Sequence, residues 1–319
     1  MPRPTPRVPP VTTTARPVKS NGCRPVSTTA TSSNWLVKLP TSGALAYPRA
    51  ATGPKFEDPI TGVVRAVMGI KRATRAPGTA EVVIDVPPVN ALDVASWFAL
   101  ADAVTASGSD PDVRVVVLRA EGRGFCAGVD IKEIQAKGDE ALVGVNRGCA
   151  AAFAAVYDCE VPVIAAVHGF CLGGGIGLAG NADIVVASED ATFGLPEVDR
   201  GALGAATHLA RLVPQHKVRQ MVYSALPATA HEVAAYGSLA AVVPGAQLVD
   251  TAYELASQIA SKSPSIIRRA KESLNGIDPV DVKRSYRFEQ GFTYELHVRG
   301  VADEQRQAFV DKRQADTSR

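Results

Sequence analysis

The stretch Pro162-Val-Ile-Ala-Ala-Val-His-Gly-Phe-Cys-Leu-Gly-Gly-Gly-Ile-Gly-Leu-Ala-Gly180 decides the fold. Residues 162–167 form an apolar run of strand length bounded by turn residues, which reads as a buried strand feeding a glycine cluster. Gly175-Ile-Gly-Leu-Ala-Gly180 also fits the G-x-G-x-x-G pattern of dinucleotide folds. Spacing counts against that reading. The next strand begins at Ile184, four residues past Gly180, whereas a dinucleotide unit needs a full crossover helix after its glycines. The alternative is a tight turn at Gly173, Gly174 and Gly175 with a short helix behind it. Glycine has no Cβ to block a close approach, and the first N–H groups of a helix lack partners and can donate to an anion or a developing oxyanion. A plainer reading has these glycines only letting helix and strand pack closely.

Outward from this stretch the pattern alternates β and α from Gly69 onward, which predicts an α/β fold with parallel strands. Strands are expected at 79–86, 113–120, 162–167 and 184–187, with helices at 94–107 and 139–157. Beyond Gly201 the reading is helical: 204–212, 215–224, 229–236, 246–261, 265–274 and 280–312, the last interrupted near Gly291 and Gly300. No internal repeat is evident in the sequence.

A second segment, Gly124-Phe-Cys-Ala-Gly-Val-Asp-Ile-Lys-Glu133, again places small residues at the end of a strand. Alone it reads as a strand-to-helix turn capped by Asp130. Beside the triple glycine some 45 residues later it gains a function, because an oxyanion hole needs two N–H donors from separate segments. Such a hole stabilises the enolate of a thioester, so the chain reads as an acyl-thioester enzyme. Glu197, in Phe193-Gly-Leu-Pro-Glu-Val-Asp-Arg-Gly201, lies on a loop where acid/base groups are commonly placed. Asp199 is read as exposed or paired with Arg200, and His208 either activates water or is structural. No G-x-S-x-G elbow, H-E-x-x-H pair or P-loop is present, which removes serine-hydrolase, zinc-protease and P-loop readings.

The 319 residues, 46% of them hydrophobic, suffice for a substantial core, and no stretch is apolar for the length of a membrane span. The five cysteines form no C-x-x-C pair and suggest neither a disulfide framework nor a metal site, which fits a reducing cytoplasm. The net charge of +2 conceals a head, residues 1–68, with nine Lys/Arg against two acids, leaving −5 for the rest. This basic, Pro/Thr-rich head is read as disordered or as lying upstream of the true start, with Met68 a natural first residue of the folded part.

On these motifs, together with Ala182-Asp-Ile-Val-Val-Ala-Ser188, the chain resembles the enoyl-CoA hydratase/isomerase (crotonase) superfamily over residues 69–312. The resemblance implies a spiral of ββα units over 69–262 and a helical oligomerisation region over 263–319 that builds trimers or hexamers. It implies oxyanion donors at the N–H groups of Val129 and Gly174, with Glu197 as the acid/base. Ala127, Asp130, Ile131, Lys132 and Gly173 would line the coenzyme A channel, and Lys312 would reach a CoA phosphate, if need be across a subunit interface. Coenzyme A enters as part of the substrate, so no separate cofactor, metal, nucleic acid or membrane partner is expected. The family's hydratases use two glutamates, and here the first falls on Gly177, which argues against simple hydration and predicts room for a bulkier acyl group. The runs Gly194 to His216 and Tyr286-Arg-Phe-Glu-Gln-Gly-Phe-Thr-Tyr-Glu-Leu296 are similar to a branch of the superfamily that hydrolyses a ring carbon–carbon bond of bicyclic, steroid-derived acyl-CoA. The rival readings are a 3,2-enoyl-CoA isomerase or hydratase-like enzyme, and a CoA- or RNA-binding relative whose basic head does the work.

Overall fold

The central strands are buried on both faces, and their successive side chains point alternately into two separate cores, one on each side of the sheet. In the computed structural model, which describes residues 65–315, the chain opens with β1 (Arg65–Val67), β2 (Ile70–Ala76) and β3 (Thr79–Ile84), paired antiparallel in turn. The expectations for the head, residues 1–68, lie outside the described residues up to position 64. Then come β4 (Ala91–Leu92), α1 (Val94–Gly108), β5 (Val115–Ala120), β6 (Gly128–Val129), α2 (Ile131–Lys137) and α3 (Asp139–Tyr157). The glycine stretch itself forms β7 (Val163–Val167), β8 (Phe170–Leu172) and α4 (Gly174–Asn181), followed by β9 (Ile184–Ser188) and β10 (Thr192–Gly194). A 3-10 turn at Pro196–Arg200 leads to α5 (Ala206–Leu209), α6 (Gln215–Ser224), β11 (Ala228–Thr229), α7 (Ala230–Ala234) and β12 (Ala241–Val243). Four helices end the chain: α8 (Leu248–Ala260), α9 (Pro264–Gly276), α10 (Val282–Val298) and α11 (Val301–Asp311).

The large sheet runs β1-β2-β3-β5-β7-β9-β12 and is parallel from β3 onward, as the alternating pattern predicted. Val116 and Leu118 of β5 face the main core under α1 and α3, while Val115 and Val117 face α8 and its Leu248, Ala252, Ala256 and Ala260. Between successive long strands, a strand of two or three residues turns aside into smaller sheets, β4-β6 and β11-β10-β8, before the helix begins. This ββα repeat is structural, and strands this short carry too few residues for a sequence period.

Two expectations about helices change. Gly291 does not interrupt α10: a Cβ there would meet nothing within 4 Å, so the helix runs through an open position while Tyr286, Gln290 and Thr293 hold its inner face. The stretch read as helix at 204–212 contracts to Ala206–Leu209, because Gly204 (φ 157°) and Ala205 (φ 61°) bend the chain first. Gly300, with φ 69°, separates α10 from α11 as expected. The last helix folds back along the body: Gly201 packs on Ala302, the Gln135 side chain donates to the Arg306 carbonyl, and the Arg200 guanidinium lies 4.4 Å over the Phe309 ring.

Candidate active site

The two glycine segments meet because their strands zip together. Cys126 and Cys171 form a parallel bridge, with the Leu172 N–H donating to the Cys126 carbonyl at 2.9 Å and the Cys126 N–H donating to the Phe170 carbonyl at 3.2 Å. This brings Gly128 onto the start of α4. Gly128 adopts φ 93°, and a Cβ built on it would stand 3.1 Å from the Gly174 nitrogen, so a bare Cα leaves that nitrogen open to approach. Gly174 is the first residue of its helix, and its N–H therefore has no intrahelical partner. Behind it lies Trp97, whose indole would be 2.7 Å from any Cβ at 174. Val129, next to Gly128, lines the same cavity.

That cavity encloses about 470 Å³ and is bordered by Ala127, Val129, Asp130, Ile131, Lys132, Gly173, Gly174 and Glu197, eight of the positions singled out in the sequence. Glu197 is placed by the 3-10 turn that Pro196 begins. Its Oε1 would be 2.6 Å from a Cβ at Gly173, so the carboxyl leans on the residue just ahead of Gly174. Its Oε2 is sealed from solvent without a hydrogen-bond partner. Burial pushes the Glu197 carboxyl up to about 8, opposed by its own backbone N–H and by the Arg200 charge. Asp130, the other carboxylate of the lining, caps α2 by accepting from the Lys132 N–H at 2.9 Å. Glu197 is thus the carboxyl left free for chemistry.

The far wall comes from helices whose roles the sequence did not disclose. Asn146, Cys149 and Phe153 of α3 and Tyr286 and Thr293 of α10 face the cavity, while Arg306 and Phe309 of α11 and Arg200 stand at its rim. The available signal was spacing. Positions 146, 149 and 153, like 286, 290 and 293, repeat at helical intervals, but such a stripe reads equally as core.

Two expectations are revised by this geometry. Gly177 does not open space for the acyl group: a Cβ there would fall 2.2–2.5 Å from the Phe153 ring, so Phe153 occupies the room and is itself the cavity wall. His208 does not reach the cavity. Its ring sits behind the wall, 5.0 Å from the Phe153 and Tyr286 centroids, with neither nitrogen partnered, and burial drives it down to about 3. A neutral imidazole packed there has no path to a substrate water. Lys312 caps the end of α11 at an exposed position outside the cavity of its own chain.

The two glycine turns and the Glu197 carboxyl line one cavity, an arrangement that an acyl-thioester would fit. The enoyl-CoA hydratase/isomerase family model matches residues 74–318, and the chain belongs to that family. It is 63% identical over 245 residues, covering 76% of this chain and 95% of the relative, to the (7aS)-7a-methyl-1,5-dioxo-2,3,5,6,7,7a-hexahydro-1H-indene-carboxyl-CoA hydrolase of Rhodococcus jostii. It is 60% identical to the Mycobacterium tuberculosis protein of the same name, over 77% of this chain and 100% of that one. Among solved structures, carnitinyl-CoA hydratase from Mycobacterium avium superposes with TM-score 0.69 at 30% identity, covering 79% of this chain and 99% of that one. An enoyl-CoA hydratase from Mycobacterium avium subsp. paratuberculosis superposes with TM-score 0.71 at 24% identity, over 80% and 100%, a likeness of fold. Among the described residues no three His, Cys, Asp or Glu gather as metal ligands, and no helix is long and apolar enough to cross a membrane.

Proposed function

We propose that this chain hydrolyses a ring carbon–carbon bond of a bicyclic, steroid-derived acyl-CoA; its 60–63% identical relatives are named as hydrolases of a methyl-dioxo-hexahydroindene-carboxyl-CoA. The observation that supports it within the site is the buried Glu197 carboxyl, whose Oε2 has no hydrogen-bond partner and whose Oε1 leans on Gly173, with Phe153 filling the place beside Gly177. Glu197 takes a proton from water as its oxygen attacks the ring ketone. Collapse of the adduct breaks the ring bond, and the electron pair passes through the conjugated system onto the thioester oxygen, held by the N–H groups of Val129 and Gly174. Glu197 returns the proton to carbon, and the new carboxylic acid releases its own to solvent. Ala127, Asp130, Ile131 and Lys132 form the CoA channel, and the chain needs no cofactor beyond the CoA of its substrate.

The same reading makes residues 263–319 an oligomerisation region. Exposed Phe288, Phe292, Ile266, Leu274, Ile277 and Val298 suit burial in a trimer or hexamer, in which Lys312 serves a neighbouring site. The four free, buried cysteines of the described residues suit a reducing cytoplasm.

The test offers the protein a bicyclic diketone CoA thioester and crotonyl-CoA and follows both by mass spectrometry across pH. Gain of one water with a new carboxylate on the bicyclic substrate, no change in crotonyl-CoA, and a rate that rises with pH toward an apparent pKa near 8 are expected. Hydration of crotonyl-CoA, or a double-bond shift without water uptake, overturns the assignment.

A further inference from the structure

Hydrolysis of a ring ketone places negative charge in two positions, and one oxyanion hole serves only one of them. The relatives' substrate is named for two oxo groups as well as the thioester. When water adds to a ring carbonyl, that oxygen becomes an alkoxide before any charge reaches the thioester. A donor at the ring end of the cavity stabilises that first adduct, as Gly174 and Val129 stabilise the enolate.

The inner face of α10 supplies one candidate. Tyr286, Glu289, Gln290 and Thr293 follow helical spacing on the side turned to the site, and three of them are locked into its frame. Glu289 accepts from the Ala206 and Thr207 N–H groups at 2.8 and 2.7 Å, Gln290 donates to the Asn146 carbonyl at 2.8 Å, and Thr293 accepts from the Leu203 N–H at 2.9 Å. Tyr286 lines the cavity and is 8% exposed. Its ring is fixed between Phe153 and His208, with centroids 5.1 and 5.0 Å away. Its hydroxyl interacts with the Cys149 thiol and the Gln290 side chain. A thiol is a weak acceptor, so a substrate carbonyl readily takes its place as the partner of the phenol proton. Of the buried far-wall groups, Asn146 is spent on Gln290 and Leu142, and Thr293 on the Leu203 backbone.

We infer that the Tyr286 hydroxyl donates to the ring carbonyl that water attacks, making it a second, separate oxyanion donor of the reaction. This inference rests on the proposed hydrolytic reading. Tyr286 and Glu197 line one cavity together, so the water delivered by Glu197 and the carbonyl polarised by Tyr286 meet there. The phenol keeps its proton throughout: it stabilises the alkoxide by hydrogen bonding and transfers nothing.

The experiment compares wild type with Tyr286→Phe in two reactions. The first is ring opening of the bicyclic diketone CoA thioester, read as kcat and KM. The second is solvent deuterium uptake at carbon conjugated to the thioester, in an analogue whose ring ketone is a methylene, which needs only Glu197 and the thioester hole. The variant is expected to lose about 100-fold in kcat for ring opening with KM nearly unchanged, and to exchange deuterium at the wild-type rate. Its unfolding midpoint should match wild type, because the ring that packs on Phe153 remains. Ring opening at the wild-type rate, or equal losses in both reactions, overturns the inference. A wild-type protein that exchanges deuterium but never opens the ring overturns instead the hydrolytic reading on which it rests, and the inference falls with it.

Discussion

Replacing Glu197 by glutamine should abolish ring opening and at the same time stabilise the protein, but only at neutral and alkaline pH. Its carboxyl is displaced by burial from an ordinary 4.5 to about 8 in the folded chain. Below pH 4.5 the group is protonated in folded and unfolded chains alike, and glutamine changes little. Between 4.5 and about 8 the folded protein holds a proton that the unfolded chain has released, so stability falls as pH rises, and above 8 the whole penalty is present. At about 1.4 kcal/mol per pH unit the full span amounts to about 5 kcal/mol, and local relaxation around the charged form brings the expected gain to about 2–5 kcal/mol. For a folded unit of this size that is a rise of about 5–15 °C in the unfolding midpoint at pH 9. Thermal unfolding of wild type and Glu197→Gln at pH 5 and pH 9 measures it. A gain of equal size at both pH values, or a loss at pH 9, refutes the claim that burial of the Glu197 carboxyl is a cost that the site sustains.

Three further outcomes bear on the glycine turns and their supports. Gly174→Ala drives a methyl to within 2.7 Å of the Trp97 ring and should lower kcat by about 100-fold with KM little changed, read in steady-state kinetics. Gly128→Ala places a Cβ 3.1 Å from the Gly174 nitrogen at a φ of 93°, so unfolding should show about 1–2 kcal/mol of strain and turnover should fall together with it. Gly177→Ala overpacks against Phe153 and should cost about 1–3 kcal/mol, whereas the same change in a Phe153→Ala background should cost less, a coupling that a double-mutant cycle in urea detects.

Much of the catalytic half was legible because its signals are local. The helix 139–157 and the helix 215–224 coincide end for end with α3 and α6, and the short gap after Gly180 correctly excluded a crossover helix. Ala127 to Lys132, Gly173, Gly174 and Glu197 could be picked out because glycine turns and a loop carboxyl stand out against an apolar background, and the cavity does gather them. The far wall was not legible. Asn146, Cys149, Phe153, Tyr286 and Thr293 come from helices distant in sequence, and nothing in a helical stripe says whether it faces core or cavity. The two errors of placement have the same origin. Gly177 was read from its motif as leaving room for the acyl group and His208 as activating water or structural, while packing gives the room beside Gly177 to Phe153 and sets His208 behind the wall, against Phe153 and Tyr286.

Because α11 closes the rim with Arg306 and Phe309 while the cavity begins at Val89, the site is stitched from both ends of the folded chain. A ribosome that has made the glycine turns, Glu197 and the whole parallel sheet has still not made the wall that dries them. The chain therefore emerges as a nearly finished sheet with an open, wet pocket, and catalytic competence arrives last, when the final helix docks. A lesion that halts synthesis after β12 but before residue 301 leaves a protein with its sheet and turns complete and Arg200 deprived of the Phe309 ring it packs against.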